Sequence, residues 1–293
     1  MSKLSLTSNG CNRNKRLDFK ELLRLKNSTY PREELYPVSI LCEDGSQFLA
    51  RHVIVTCSLG FLKKHHQDFF VPNLPPVHRS VIENTGFGAI DKIFLVFDQC
   101  WWNSSVEGFQ LIWSQNTSTF LEEEIESSWI RDVTGFDVLS ANPPVLLGWV
   151  GGPGAELMEE LDEEKLAADC QKLLQRFLHE RVPRPKKVFR SQWITNPFIL
   201  GGYSHASVKC WKLNLRPSDL NKIIDFTAYS LIKHPVILFA GEANSEHDFS
   251  TTHGAYHSGV DQASIIVDYH KKLIDIRFNE TLPFRMKHSC LKS

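Results

Sequence analysis

Three short stretches of the chain carry side chains able to bind or transform a ligand. In the first, Leu238-Phe-Ala-Gly-Glu-Ala243 continues through Ser250-Thr-Thr-His-Gly-Ala255 to Ser258-Gly259. It reads as a buried strand over 235–240, a Gly-Glu turn, a polar loop, and a helix opening at Thr251 or Thr252. A strand that feeds a helix N-terminus gathers free N–H groups, which suits an anionic or polar cofactor. Gly241, Ala243, Gly254, Ala255 and Gly259 are small enough for backbone to approach a flat ligand. A tightly packed corner without a ligand explains the same residues.

The second stretch is Gly86-Phe-Gly-Ala-Ile-Asp-Lys-Ile-Phe-Leu-Val-Phe97, followed by Trp101-Trp102. A Gly-marked bend enters a β-prone strand in which Ile90, Lys92 and Phe94 share one face. Asp91, Ile93 and Leu95 share the other. An ammonium on an apolar strand ordinarily reaches for solvent, but in a partly apolar site its pKa shifts readily and it can manage protons. The third stretch is Ser191-Gln-Trp-Ile-Thr-Asn-Pro-Phe198 with Gly201-Gly-Tyr-Ser204. Its aromatics either cap a core or line an aromatic slot for a cation. His205 beside it reads as an ordinary loop histidine, with titration near neutrality as the alternative.

Taken in order, these three segments resemble the FAD-dependent amine oxidases, most closely the polyamine oxidase branch (acetylpolyamine and spermine oxidases). Flavin-dependent histone lysine demethylases are more distant. The resemblance implies that Lys92 holds a water against flavin N5 and that Trp193 and Phe198 flank the flavin ring. It implies that Tyr203 walls the substrate slot, and that Gly241 and Glu242 meet the ribityl and pyrophosphate part of FAD. It also implies that Thr251 and Thr252 open a helix toward the pyrimidine edge. The chemistry implied is oxidation of spermine, spermidine or their acetyl derivatives, with O2 as reoxidant, to an aldehyde, a shorter amine and hydrogen peroxide. The chain departs from the family pattern at Gly202 and His205, and at the loop Ala243-Asn-Ser-Glu-His-Asp-Phe249.

The elements that would position these residues alternate between strand and helix. Residues 37–51 read as a hairpin about an Asp-Gly turn, and residues 52–57 as a buried return strand. Ser58-Leu-Gly then turns away. Val77 to Glu83 reads as a short helix after a Pro-rich connector. Residues 103–144 read as irregular and β-rich, including Ser128 to Ile130. Val145 to Val150 is a buried strand whose Gly run turns into a helical region. There Leu166, Cys170, Leu173, Leu174 and Phe177 recur at helical spacing. That region reads as core packing without chemistry. Leu17 to Leu25 and Asp219 to Tyr229 read as helix-like. After Thr252, Ala255, Val260, Ala263, Ile266 and Val267 form the expected apolar face.

The expected class is α/β, mixed α+β. It comprises the C-terminal part of an FAD-binding domain and a mixed-sheet substrate domain, without an N-terminal Rossmann unit. The expected divisions are 1–36 as a polar segment, 37–60 in the FAD domain, 61–205 as the substrate domain, 206–270 back in the FAD domain, and 271–293 as a basic tail. No Gly-x-Gly-x-x-Gly occurs anywhere in the 293 residues. Phosphate binding at that fingerprint ordinarily supplies much of the affinity for a dinucleotide.

A net charge of −1 argues against nucleic acid as a partner. No apolar run approaches the roughly 20 residues of a membrane helix. Seven scattered cysteines with no Cys-x-x-Cys pair suit a reducing compartment and argue against structural zinc, so no metal is expected. The expected location is the cytoplasm. A peroxisomal one is suggested by the family, but the final residues do not form a Ser-Lys-Leu address. The competing function is a non-catalytic homologue or isoform that binds no FAD alone and associates with an intact relative. A demethylase-like enzyme is a weaker alternative.

Overall fold

A computed structural model describes residues 16–18, 37–113, 128–225 and 234–281. The chain divides into two units. One comprises Met1–Thr56, Leu62–Thr85 and Ala206–Ser293, and the other Cys57–Phe61 and Gly86–His205.

The first unit holds a four-stranded sheet in the order β3-β2-β1-β5, made of β1 (Arg16–Asp18), β2 (Val38–Leu41), β3 (Gln47–Ala50) and β5 (Phe70–Val71). β2 and β3 form the expected hairpin, and Asp44 Oδ1 closes its turn by accepting from the Ser46 N–H at 2.9 Å. β4 (Val53–Val55) pairs in parallel with β13 (Ile237–Phe239), Val55 lying opposite Phe239. Helix α1 (Leu59–Phe69) begins where the sequence suggested only a turn, and α2 (Pro76–Asn84) carries Val81 and Ile82 into the core. Phe70, Val236, Leu238 and Phe239 complete that core, with the Phe70 and Phe239 rings 5.9 Å apart.

The second unit is built on a five-stranded antiparallel sheet. Its order is β11 (Lys187–Arg190), β7 (Ile90–Val96), β10 (Pro144–Gly151), β9 (Val133–Ala141) and β8 (Gly108–Gln110). One face is covered by α3 (Gly152–Glu159), α4 (Glu163–Leu178) and a 3₁₀ turn at Ser128–Asp132. Trp129, Phe136, Leu146, Met158, Leu166 and Leu173 pack into this core. The α4 spacing read from the sequence is its buried face, and Asp162 caps it by accepting from the Lys165 N–H. β6 (Gly86–Phe87) and β12 (Ser204–His205) form a separate ribbon.

Several expectations change. Leu17 and Asp18 lie in β1 rather than a helix, while the rest of that run falls outside the described residues. Ser128 to Ile130 is 3₁₀, not strand. Asp219 to Tyr229 is not one helix. A 3₁₀ turn at Pro217–Asn221 ends there and Ile224 bridges to Ile237, while residues 226–229 of that run lie outside the described residues. After the short α5 (Val208–Lys212), the last described helix, α6 (Thr252–Thr281), runs into the segment expected as a tail. Its buried face is Gly254, Ser258 and Gln262, whereas Val260 and Val267 are exposed. The spacing of four is right for a helix, but small and polar residues hold the inner face.

Where β4 begins, His52 Nδ1 donates to the Pro235 carbonyl at 2.8 Å, so its Nε2 must accept the 2.9 Å bond from His270. His234 stacks on Tyr269 and meets the His52 ring edge-on at 5.0 Å. Burial, then the neighbouring His270 and Arg51 charges, lowers the pKa of His52 despite the Pro235 bond. Burial and the His52 charge lower that of His234. A histidine whose folded pKa lies below its unfolded one loses stability as pH falls below the unfolded value, about 6.5. Urea unfolding of this unit should therefore show a midpoint that rises from about pH 5 to about pH 7. His52→Asn, which retains a donor for Pro235, should flatten the slope. An unchanged slope in that variant would remove His52 as its cause.

Candidate functional site

Strand alternation in β7 sets the first part of the site. Its residues alternate between half-buried and buried, so Ile90, Lys92 and Phe94 share one face and Asp91, Ile93 and Leu95 the other. Lys92 lies opposite Trp149 of β10, and Phe94 lies between Leu147 and Phe189 of its two partner strands. The Lys92 ammonium stands 4.7 Å from the centre of the Trp149 ring, a cation–π contact. The Trp149 indole N–H donates to Asp137 Oδ2 at 2.8 Å, which fixes the ring plane. Lys92 is therefore held on an apolar, aromatic sheet face.

The aromatic segment lies in the same unit. Trp193, Phe198 and Tyr203 are exposed by 44%, 51% and 43%, far more than aromatics that cap a core. Their backbone is tied down although their rings are not. Ser58 Oγ donates to the Ile199 carbonyl, and a Cβ on Gly60 would meet that oxygen at 2.4 Å, so the Leu-Gly turn packs against the loop bearing Phe198. Tyr203 is placed by Gly88, whose N–H donates to the Tyr203 carbonyl and whose own carbonyl accepts from Gly202. Gly201 has φ +147°, and a Cβ there would stand 2.5 Å from the Phe87 ring. The His205 ring covers Gly86, where a Cβ would be only 2.2 Å away, so this histidine packs the ribbon.

Two carboxyl groups that sequence reasoning left without a role stand behind these residues. Asp91 and Glu159 are buried. Asp91 Oδ1 accepts from Ser191 Oγ at 2.5 Å and from the Trp193 N–H at 3.4 Å. Glu159 accepts the N–H groups of Ile194 and Thr195, each at 2.8 Å. Burial raises the Asp91 pKa to about 7, with the Glu159 hydrogen bond and charge adding to it against the Ser191 and Trp193 bonds. Burial would raise Glu159 as well, but bonds from the Thr195 side chain, Asp91 and the two amides outweigh it and hold its pKa low. The available signal was the acid sharing a strand face with Ile93 and Leu95.

Gly241, Glu242, Thr251 and Thr252 fall in the other unit. Gly241 lies at φ +155°, ψ 179°, a conformation reserved for glycine, and only Asn244 Oδ1 lies within 4 Å of where a Cβ would stand. That leaves bare backbone at the end of β13. The Gly241 N–H donates to Ser258 Oγ at 2.9 Å, joining the turn to α6. Glu242 Oε2 accepts from the Ser250 N–H at 2.7 Å, so this carboxylate braces the 245–250 loop. Thr251 Oγ1 donates to the Asp248 carbonyl and accepts from the Gly254 N–H, capping α6. The Thr252 and His253 N–H groups at the helix opening have no intrahelical acceptor.

The two sets of features belong to separate units. One has exposed aromatic rings with a lysine on an apolar face, and the other has a bare glycine turn beside a helix N-terminus. Among the described residues there is no His/Cys/Asp/Glu group able to hold a metal, and no helix long and apolar enough to cross a membrane.

The family model for flavin containing amine oxidoreductases matches residues 21–267. A human peroxisomal N(1)-acetyl-spermine/spermidine oxidase is 39% identical over 232 residues, covering 77% of this chain and 44% of the relative. The bovine protein of the same name is 35% identical over 77% of this chain and 44% of its own length. A histone demethylase-like protein A of Aspergillus fumigatus is 32% identical over 78% of this chain and 20% of its length. The solved structure of a redesigned putrescine oxidase superposes with a TM-score of 0.55 at 16% identity, over 79% of this chain and 46% of that one, a likeness of fold. The chain thus spans about half the length of the polyamine-oxidising relatives it matches.

Gly201→Ala should cost about 1–3 kcal/mol, through both the strained φ and the overlap with Phe87. Gly259→Ala, in a helix with open space around it, should be neutral or stabilise by about 0.5–1 kcal/mol. Thermal unfolding of the two variants side by side checks the pair, and equal effects would contradict the packing described for Gly201.

Proposed function

The chain belongs to the flavin-containing amine oxidoreductases, and on that premise we propose that it serves FAD-dependent oxidation of polyamines or acetylpolyamines. The carrying observation is Lys92, held over Trp149 on an apolar sheet face in the unit that exposes Trp193, Phe198 and Tyr203. Bound FAD supplies a two-electron acceptor for the C–H bond beside an amine nitrogen, and O2 is the terminal oxidant, giving peroxide.

The chain's own residues have separable tasks in this reading. Lys92 holds a water and takes or returns its proton beside the reacting carbon. Tyr203 presents a ring to the substrate nitrogen and supports the developing positive charge. Trp193 and Phe198 hold the flat cofactor and exclude water. Gly241 lets it pass close to the backbone, Glu242 keeps the following loop in place, and the helix start at Thr251 and Thr252 offers N–H groups to a partially negative edge. Small flexible polyamines are the favoured substrates, and the two mammalian relatives carry acetylspermine and spermidine in their names. The expected compartment remains the cytoplasm, beside the peroxisomal names of those relatives.

A second reading is a homologue that holds no FAD alone and works beside an intact relative. It is favoured by the absence of a Gly-x-Gly-x-x-Gly phosphate cradle from these 293 residues and by the altered 243–249 loop. Purified chain incubated with FAD separates the two. The first reading expects a retained flavin absorbance band and peroxide release with spermine or acetylspermine, whereas a colourless protein that comigrates with an intact oxidase supports the second. In an active form, Lys92→Met should reduce the rate of flavin reduction about 10²–10⁴-fold while leaving the flavin bound. Undiminished reduction would remove Lys92 from the mechanism.

A further inference from the structure

We propose that Asp91 and Glu159 share a single proton and act as a clamp on residues 191–195. They would then be positioning residues for Lys92 and Trp193. The clamp grips from two sides. From β7, Asp91 Oδ1 takes the Ser191 hydroxyl at 2.5 Å and the Trp193 N–H at 3.4 Å. From the end of α3, Glu159 takes the amides of Ile194 and Thr195 with its two oxygens, and its backbone carbonyl takes Gln192 Nε2 at 3.4 Å.

The same hydroxyl ties the segment to the lysine strand. The Lys92 N–H donates to Ser191 Oγ at 2.8 Å, and the Ser191 N–H donates to the Lys92 carbonyl at 3.0 Å. Lys92 and Trp193 are thus referenced to one buried centre, although their side chains point away from it.

The proton follows from unmet valence. Asp91 Oδ2 is buried and no donor reaches it, and the carboxyl group beside it is that of Glu159. Two carboxylate oxygens attract only with a proton between them, and two buried like charges would repel. Glu159 already receives two amide N–H bonds, so the proton resides on Asp91. Glu159 is the charged group facing Asp91 from α3, while the segment after β11 offers it the Ser191 hydroxyl and the Trp193 amide. Arg190 Nη1 is buried and donates to neither carboxyl. The elevated Asp91 pKa agrees with this arrangement.

The assignment of Lys92 and Trp193 to a flavin rests on the function proposed above, but the clamp itself does not. Peptide-resolved hydrogen exchange on the 293-residue chain, without FAD, tests it. Protection of the Trp193, Ile194 and Thr195 amides, corrected for the intrinsic pH dependence, should be high in mild acid. It should fall by up to about tenfold per pH unit from about pH 4, where the opened segment gives up the proton that the clamp retains, and level off above about pH 7, where the clamp loses it too. Asp91→Asn keeps an acceptor for Ser191 and a donor for Glu159, so it should keep the protection and abolish its pH dependence. Asp91→Ala should lose protection at every pH, and Glu159→Gln should lose it at Ile194 and Thr195. Protection in Asp91→Asn as low as in Asp91→Ala, or wild-type protection that does not vary with pH, would overturn the proposal. A confirmed clamp in a chain that never takes up flavin would refute the functional reading alone, and a flavin-binding chain with pH-independent protection would refute the clamp alone.

Discussion

The register of β7 against β10 governs the candidate site in the sheet-based unit. With Lys92 opposite Trp149, every second residue of both strands turns to the helix-covered face, and the others turn away from it. A slip of one residue would bury the ammonium among Leu146, Val150 and Met158 and expose Ile93 and Leu95. The cost of such a slip is the lost burial of several large apolar side chains, at about 1.5–3 kcal/mol each, so the lysine's position is enforced by core packing. Asp91 is carried inward by the same constraint. A buried acid is costly, and it is tolerated here because the chain brings Ser191, the Trp193 amide and Glu159 to meet it.

The local geometry of the glycines follows from equally specific neighbours. Gly88 sits where two backbone hydrogen bonds to the 202–203 segment must form, and Gly201 sits against the Phe87 ring. These contacts place Tyr203 without using its side chain, which leaves the ring exposed. Trp193 is handled likewise, its amide held and its ring outward. A site built this way keeps rigidity in the backbone and leaves its aromatic surfaces open to a ligand.

Much of this was legible in the sequence, for physical reasons that can be named. Alternation through Ile90 to Leu95 sorted the two faces of β7, and the Asp-Gly hairpin and the α4 spacing were plain because each rests on local periodicity. The opening of α6 was bracketed at Thr251 or Thr252, and the structure starts the helix at Thr252 with the Thr251 hydroxyl as its cap. What local pattern hides is pairing across long separations. Glu159 looked like one more acid at a helix end, and its partners are 35 and 36 residues away in sequence. The inner face of α6 escaped because Gly254, Ser258 and Gln262 carry little apolar signal, and the apolar residues between them face outward. Ser128 to Ile130 has strand-like composition, yet the burial of Trp129 and Ile130 against α3 and α4 overrode it.

The buried ionisable groups of the two units respond to pH with opposite signs. His52 and His234 have folded pKa values below the free ones, so their unit strengthens as pH rises toward neutrality. Asp91 has a folded value far above the free carboxyl, so its contribution declines over the same interval as the unfolded chain gives up a proton that the fold retains. Acid therefore weakens the histidine cluster while favouring the carboxyl clamp, and base does the reverse. Opposite slopes make the relative stability of the two regions depend on pH, so a single unfolding midpoint would combine two opposing trends. The aromatic segment, which depends on the clamp, is held best on the acid side of neutrality, and the β4–β13 pairing beside the histidines on the alkaline side.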